Sequence, residues 1–224
     1  MTRGMLFSQM VPQPNEIDRF NAWYSEDHVP ARMVLPHFVK ATRFSPVEGT
    51  ETPDYLAVYE VDDLAAFQTA GYRQLKSAPS VETEYMLGRV SGFTRYLSEE
   101  IGDSGEVSRE TKYLSVVAFA VPEQDEEQFN TWYGSEHVPM LLEAADWLRV
   151  RRYKVVDGAG GPWTHIALHE LASLEVMGSP ARALARKGPR REELVNRPWF
   201  GNSGRWLYRN LGAQHAVDFQ LNKA

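Results

Sequence analysis

An eleven-residue motif occurs twice in this chain, and it constrains the fold more than any other feature. The first copy runs from Phe20 to Pro30 and the second from Phe129 to Pro139, an offset of 109 residues in a chain of 224. Seven of the eleven positions are identical, among them the tryptophan, the tyrosine, the histidine and the proline. Weaker matches continue at nearly the same offset on both sides. A period this long is typical of a duplicated domain and not of a solenoid repeat.

Each copy of the motif lies in a stretch whose hydrophobic pattern and turn signals predict the element order β-α-β-β-α-β. In the first half we predict strands over 5–11, 38–47, 54–61 and 92–98, with helices over 15–28 and from residue 62. The second half repeats the order, with strands over 113–121, 147–156, 164–171 and 205–211 and helices over 125–137 and 174–186. This order defines the ferredoxin-like split βαβ unit.

These elements divide the chain into four predicted segments. They are a first ferredoxin-like unit over 1–98, a linker rich in Gly, Ser and Glu over 99–110, a second unit over 111–213, and a C-terminal arm without a counterpart over 214–224. The predicted fold class is therefore α+β, with two tandem units. The first helix is expected to end at His28, because Pro30 disfavours helical geometry at Val29.

The composition excludes several classes of function. The net charge of −6 gives no sign of a nucleic-acid or membrane partner. The chain has no cysteine, which excludes disulfides, thiolate catalysis and cysteine-ligated metals. No apolar run approaches the roughly 18–20 residues that span a bilayer, and no signal peptide precedes the first strand, so we expect a cytoplasmic location. No phosphate loop, serine-nucleophile motif or dinucleotide fingerprint is present.

A ferredoxin-like unit that carries Phe-x-x-Trp-Tyr-x-x-x-His-Val-Pro at the end of its first helix resembles the dimeric α/β barrel superfamily, particularly its EthD-like branch. The resemblance implies that the antiparallel sheets of the two halves pack into an α/β barrel within one chain, with helices outside and a ligand cavity inside. The superfamily includes cofactor-independent monooxygenases, lactone isomerases, polyketide cyclases and haem enzymes, so the resemblance does not determine the reaction.

His28 and His137 are the first catalytic candidates. An imidazole titrates near neutrality and can take up and return a proton at physiological pH. In some lactone-isomerising relatives the histidine at this helix end looks catalytic, and the resemblance carries that role to these two residues. The alternative is structural, with each ring donating a hydrogen bond to the exposed carbonyls at the end of its helix.

The third predicted strand of each half supplies further candidates. Its two faces alternate: one is aliphatic in both halves, and the other carries Tyr55 and Tyr59 in the first half and His165 and His169 in the second. We expect the aliphatic face to meet the helices and the polar face to line the barrel interior. Because only the second half has histidines there, a single specialised site in that half is expected, with satisfied buried histidines as the structural alternative.

A metal site is not predicted. His165 and His169 lie four residues apart, and four residues of strand span about 13 Å, too far for one zinc ion with ligands near 2 Å. Haem would need an axial histidine, and the sequence favours none of the six histidines for that role.

Several other residues are candidates for binding or structural roles. Arg43 and Arg152 occupy equivalent places and either bind a substrate carboxylate or enolate or pair with Asp or Glu to hold the two sheets in register. Trp23 and Trp132 of the repeated motif are candidate substrate-binding residues. The remaining basic cluster is interpreted as a solvated surface; it consists of Arg182, Arg186, Lys187, Arg190 and Arg191.

Together these features predict a cofactor-independent acid/base enzyme of the isomerase, cyclase or dehydratase type that acts on a small apolar or aromatic carbonyl compound inside the barrel. His165 or His169 would be the base, Tyr55 or Tyr59 would polarise the carbonyl, and a motif histidine would be a second acid or base. The alternatives are a cofactorless monooxygenase of an aromatic substrate and a non-catalytic or stress-response protein that binds a small hydrophobic molecule. A homodimer is an open expectation.

Overall fold

The computed structural model describes residues 1–216, in which eight antiparallel strands close into one barrel. The strands are β1 (Gly4–Pro12), β2 (Phe38–Pro46), β3 (Tyr55–Val61), β4 (Val90–Gly105), β5 (Tyr113–Phe119), β6 (Trp147–Ala159), β7 (His165–Leu171) and β8 (Ser203–His215). Their order around the barrel is β1-β3-β2-β8-β5-β7-β6-β4, and β4 pairs with β1 to close the ring. The mixed fold class and the barrel are therefore confirmed.

Short helices pack on the outer face of this barrel. They are α1 (Ile17–Trp23), α2 (Val29–Met33), α3 (Ala70–Ser77), α4 (Val81–Leu87), α5 (Glu126–Trp132), α6 (Val138–Leu142), α7 (Pro180–Ala185) and α8 (Pro189–Val195). A 3₁₀ turn precedes α1, α3, α5 and α7. Within residues 1–216 the helices are all too short to cross a lipid bilayer.

Three strands, β4, β6 and β8, extend beyond their predicted ends, and these extensions join the two halves. The first half contributes the order β4-β1-β3-β2 and the second β8-β5-β7-β6, joined by β2–β8 and β4–β6 pairing. Residues 99–105, assigned above to the linker, continue β4 against β6. Of the predicted C-terminal arm, Gln214 and His215 continue β8 against β2, and residues 217–224 lie outside the described part of the chain.

The strand character of 99–105 arises from tertiary pairing. Its glycines and acidic residues are typical of a loop, but Asp103 lies diagonally across from Arg149 of β6, whose Nε donates to the Asp103 carboxylate at 2.7 Å. The pKa of Asp103 is held below its usual value, chiefly by this hydrogen bond. A polar segment can therefore form a strand when the neighbouring strand carries the opposite charge.

The repeated motif does not end its helix at the histidine, which corrects the prediction. A π-helical turn over Tyr24–His28 joins α1 to α2, and Val29 is helical, with φ −70° and ψ −51°. In this wide turn the N–H of Val29 donates to the carbonyl of Tyr24, five residues earlier. Pro30 then falls in the first turn of α2, where its missing N–H costs nothing. The second copy behaves identically over Tyr133–His137.

The two faces of the third strand in each half are the reverse of the prediction. Leu56, Val58, Ile166 and Leu168 point into the barrel, which large aromatic side chains such as Tyr208 fill. An eight-stranded barrel has an interior just wide enough for packed side chains. The tyrosine and histidine face lies beneath the helices instead, where α1 and α5 present aromatic rings and not aliphatic ones.

A buried ion cluster crosses one end of the barrel. Arg151 of β6 lies 3.0 Å from Glu60 of β3 and 3.1 Å from Glu170 of β7. The side chain of Arg151 is only 6% exposed. Burial by itself would raise the pKa of Glu60, but Arg151 and Lys40 outweigh this and lower it. One guanidinium therefore neutralises carboxylates from both halves of the chain.

Candidate functional site

Two of the cavities among residues 1–216 are lined by a motif histidine, one in each half of the chain. The first cavity has a volume of about 180 Å³ and is lined by residues between Leu6 and Arg95, including Tyr24, His28, Arg32 and Tyr59. The second cavity has a volume of about 60 Å³ and is lined by residues between Ser115 and Arg205. The repeated motif thus contributes a tyrosine and a histidine to each cavity.

The imidazole of His28 lies in the first cavity and is held by aromatic contacts. Its ring centroid lies 4.5 Å from that of Trp23 and 4.9 Å from that of Tyr24. The π-helical turn produces this arrangement, because residues four and five positions apart both become neighbours in it. Burial, followed by the guanidinium groups of Arg32 and Arg43, lowers the pKa of His28 well below its ordinary value of 6.5. At neutral pH the ring is therefore uncharged.

Two hydrogen-bond donors beside His28 are buried without a partner. Within residues 1–216 neither the hydroxyl of Tyr59 nor Nε of Arg32 forms a hydrogen bond of standard geometry, although the Tyr59 hydroxyl lies close enough to Tyr24 to oppose the burial-driven rise in the pKa of Tyr24. Burial, with Tyr24 as the next contribution, raises the pKa of Tyr59 well above 10, so its hydroxyl stays protonated. A buried polar group without a partner costs about 1–3 kcal/mol. A ligand oxygen that accepts from both groups would recover this cost.

The remaining walls of the first cavity are largely apolar. They are formed by Leu6, Met10, Tyr72, Leu75, Leu87 and Phe93, with Lys76 and Arg95 among the lining residues. Arg95 is already paired, since its Nη1 lies 3.2 Å from the Asp157 carboxylate. A cavity with apolar walls and a few convergent polar groups is typical of a small-molecule site.

In the second cavity His169 has no nitrogen left for chemistry. The indole N–H of Trp147 donates to its Nδ1 at 3.1 Å, so the ring proton is on Nε2 and donates to the Tyr133 hydroxyl at 2.8 Å. Complete burial, with a smaller contribution from His137, lowers its pKa to about 3. His169 is therefore a neutral, fully bonded core histidine, which matches the structural alternative for this strand.

His137 keeps one nitrogen free in the second cavity. Its Nδ1–H donates to the carbonyl of Ala185 in α7 at 3.1 Å, which leaves a lone pair on Nε2. Burial lowers its pKa to about 4, partly offset by the Ala185 carbonyl, and Arg191 lowers it further. The ring therefore bonds to a neighbouring helix. The structural alternative, in which it donates to the end of its own helix, does not describe His137.

His169 predicts a loss of stability in acid. Its folded-state pKa of about 3 lies below the unfolded value near 6.5, so as the pH falls the unfolded chain takes up the proton first. Its contribution is complete above pH 6.5 and is lost between pH 6.5 and 3, which amounts to about 2 kcal/mol between pH 7 and pH 5. Urea unfolding at pH 7 and pH 5 measures the loss of unfolding free energy between the two pH values. This loss should be about 2 kcal/mol smaller in His169→Gln than in the parent. The surface variant His37→Asn should lose as much stability between the two pH values as the parent does. Equal pH dependence of stability in His169→Gln and the parent would contradict the assignment.

His165 and Tyr55 lie outside both cavities, although both were expected to face a ligand. The ring of His165 packs on Phe129, with centroids 5.1 Å apart, and its Nε2 lies 3.6 Å from the Glu126 carboxylate. The space beside it measures about 10 Å³, enough for one water molecule. Tyr55 packs edge-on against Phe20 at 5.3 Å. Tyr55 and Tyr59 are four residues apart on one strand face, as are His165 and His169, and this spacing corresponds to about 13 Å. Only the second residue of each pair, Tyr59 and His169, therefore lines one of the two cavities.

Arg43 and Arg152 bind asparagines of the repeated motif and not acidic residues of the sheet. Arg43 donates to the Asn21 side chain at 2.7 Å and to the Ser25 hydroxyl at 3.0 Å. Arg152 donates to the side chain and the carbonyl of Asn130 in the same way. These contacts tie α1 and α5 to the barrel and explain why the asparagine recurs in both copies.

The two motif tryptophans differ in their surroundings. Trp23 donates to the Thr83 hydroxyl at 3.0 Å and supports His28 from behind, outside the lining of the first cavity. Trp132 lines the second cavity, and its indole N–H is buried without a hydrogen-bond partner within residues 1–216. Only the second of the two is placed where a ligand could contact it.

Sequence reasoning missed the arginines of both cavities. Arg32 follows His28 by four residues, a spacing that places both on one helical face, so the signal was present. Arg182, Arg186 and Arg191, interpreted above as solvated, line the second cavity together with Arg205. Nothing in the local sequence separates these arginines from surface ones, because their placement depends on how α7 and α8 pack.

Neither cavity offers a metal or haem site. Within residues 1–216 no group of three or more His, Asp or Glu side chains is arranged to hold a metal ion. Both cavities are also smaller than the roughly 300–1,000 Å³ of typical drug-sized ligand sites. The residues present therefore do not fit a haem.

Solved structures share this fold over nearly the whole chain. An anthrone oxidase-like protein aligns with a TM-score of 0.67 at 10% sequence identity, covering 95% of this chain and 93% of its own. A protein named as a monooxygenase from Lactobacillus acidophilus NCFM gives 0.61 at 9%, covering 96% and 97%. A chlorite dismutase variant from Candidatus Nitrospira defluvii gives 0.60 at 11%, covering 97% and 92%. At these identities the likeness shows the fold alone. No family model and no curated protein matches the sequence.

Proposed function

We propose that the first cavity is the active site of a cofactor-independent acid/base enzyme that acts on a small apolar or aromatic carbonyl compound. One observation carries the proposal: a neutral imidazole and two unpartnered donors line the same apolar cavity. A base beside donors for a developing oxyanion is the arrangement that removes a proton next to a carbonyl.

The roles follow from the chemistry of each group. The substrate carbonyl oxygen accepts hydrogen bonds from the Tyr59 hydroxyl and from Nε–H of Arg32, which stabilise the enolate as charge moves onto oxygen. His28 takes the proton from the adjacent carbon as a neutral base. The resulting imidazolium and enolate stabilise each other, and returning the proton at another position completes an isomerisation without a cofactor. Apolar walls exclude water and strengthen these interactions.

The second candidate is oxygenation of the same carbanion. Solved structures with this fold are named as monooxygenases and as an anthrone oxidase-like protein, and this favours the candidate. In the oxygenase reaction the carbanion would react with O₂, so that a CH₂ group becomes a carbonyl and one water molecule is released. The roles of His28, Tyr59 and Arg32 in forming the carbanion would be unchanged.

Deuterium exchange tests the first candidate. 2-Tetralone has acidic C–H bonds beside its ketone, and in D₂O at pH 7 its NMR signal at C1 should disappear faster with protein than in buffer. Tyr59→Phe removes one oxyanion donor and should lower the enzymatic rate by about 10²–10³-fold. Tyr55→Phe makes the same chemical change on the same strand face outside the cavity, and should leave the rate unchanged.

The outcomes separate the alternatives. Binding of 2-tetralone with exchange only at the buffer rate would overturn catalysis and favour a protein that sequesters a hydrophobic molecule. Oxygen consumption with anthrone as substrate, yielding anthraquinone and water in equal amounts, would favour the monooxygenase. Exchange that continues under nitrogen without any oxygen uptake in air would favour the isomerase type.

We also infer that the chain consists of two tandem ferredoxin-like units and that it is related to the EthD-like branch. The matching strand orders of the two halves and the π-helical turn found in both copies of the motif support this. The two units would then have diverged on the third strand, where Tyr59 of the first corresponds to the fully bonded His169 of the second.

A further inference from the structure

We propose that the second cavity is a separate binding site for a small carboxylate, with its charged group at the mouth and its apolar body inside. The site lies in the second half of the chain, so the inference is independent of the proposed reaction in the first cavity.

The mouth carries positive charge that nothing in the described chain neutralises. Four guanidinium groups line the cavity, those of Arg182, Arg186, Arg191 and Arg205. Among residues 1–216 none of the four forms an ion pair, whereas arginines elsewhere pair with acidic residues, such as Arg19 with Glu82 and Arg149 with Asp103. In a chain with a net charge of −6, an unpaired basic cluster indicates an anionic ligand.

The contacts of these arginines leave most of their N–H groups available. Arg182 donates from one nitrogen to the carbonyl of Met177 at 2.6 Å, and Arg205 donates from Nε to the Ser203 hydroxyl at 3.1 Å. Arg191 lies over the ring of Phe200, 5.2 Å from its centroid. These contacts orient the side chains. They leave both terminal nitrogens of Arg205 and Nη2 of Arg182 without a partner among residues 1–216, and a guanidinium fork matches the geometry of a carboxylate.

The walls behind the mouth favour a carboxylate over a phosphate. Phe119, Trp132, Trp147 and Phe200 form an aromatic lining suited to an apolar body. The indole N–H of Trp132, which has no partner within residues 1–216, and the lone pair of His137 belong to two lining residues and can bond a polar atom of the ligand. A strongly hydrated phosphate would gain nothing from aromatic walls, and the volume of about 60 Å³ limits the ligand to a small molecule.

Calorimetric titration with propionate tests the site, because its two-carbon body is small enough for a cavity of about 60 Å³. Propionate should bind at least tenfold more tightly than neutral propionamide of the same shape, and more tightly than inorganic phosphate. Arg205→Gln alters an exposed side chain and should weaken propionate binding about tenfold, and adding Arg182→Gln should weaken it further. Arg190→Gln is the matched control, because Arg190 lies in α8 beside Arg191, bonds Ser135 and does not line the cavity.

Equal affinity for propionate and propionamide would overturn the proposal, as would equal propionate affinity in the parent and in folded Arg205→Gln. Phosphate binding as tight as propionate binding would show a general anion surface and overturn the carboxylate assignment. The tetralone exchange assay reports only on the first cavity, so failure of either proposal is recognised without reference to the other.

Discussion

Glutamine in place of His28 is expected to lower the rate of 2-tetralone exchange by about 10²–10⁴-fold, the range that positioned acid/base groups contribute. Glutamine keeps a polar side chain of similar size but has no basic nitrogen. The loss should appear in the maximal rate with little change in probe affinity, since Tyr59, Arg32 and the apolar walls remain. The measurement is the exchange rate as a function of probe concentration, by NMR.

The pH profile adds a second test of the same residue. The pKa of His28 lies well below 6.5, so the parent rate should stay constant from pH 8 to below pH 6.5 and fall only in more acidic solution. A base with an ordinary imidazole pKa would lose half its rate near pH 6.5. His37→Asn changes a histidine at the surface beside Asp62 and serves as the control. If His28→Gln unfolds the protein, or keeps the parent rate, then the ring is structural.

Methionine in place of Arg151 is expected to lower the free energy of unfolding by about 3–5 kcal/mol. Methionine fills a similar volume but removes the cation nearest to both Glu60 and Glu170, which leaves only Lys40 at 3.6 Å from Glu60 and Arg149 at 4.0 Å from Glu170. Removing one member of a buried ion cluster costs this much because the remaining carboxylates lose their nearest partner without regaining water. Urea unfolding at pH 7 measures the change.

Lys154→Met is the matched control for Arg151→Met on the same strand. Lys154 pairs with Glu126 at 2.7 Å, but its side chain is 45% exposed. An exposed ion pair contributes about 0–1 kcal/mol, so this variant should be nearly as stable as the parent. A loss below about 1 kcal/mol in Arg151→Met would show that the two carboxylates do not depend on the guanidinium, and that the cluster does not hold the halves together.

The order of elements was predictable because local signals report it. Hydrophobic alternation, capping residues and turn residues act within a few positions, and each predicted strand of both halves has a counterpart in the barrel. The linker and the arm show the limit of this reasoning. Residues 99–105 have a loop-like composition, and their pairing with β6 makes them a strand.

The sequence predicted residues of the candidate site, but it did not predict where in the fold the site lies. His28 and Tyr59 were identified from the motif and from strand alternation, and both line the first cavity. Alternation assigns side chains to two faces without saying which one meets the helices, and the reverse assignment moved the cavity from the barrel interior to its outer side. His169 was expected to act as a base, but Trp147 and Tyr133 occupy its nitrogens.

By itself the sequence determined a repeated motif with an aromatic and imidazole cluster and predicted the element order β-α-β-β-α-β around each copy, because repeats and periodicity are properties of the chain alone. Tertiary structure alone decided which histidine nitrogens form hydrogen bonds and which charges surround each ring. His28 and His137 occupy the same position in the two copies, yet only His137 bonds a neighbouring helix and lies among unpaired arginines. The physical reason is that burial, hydrogen-bond partners and nearby charges set the state of an imidazole, and all three come from residues distant in the chain.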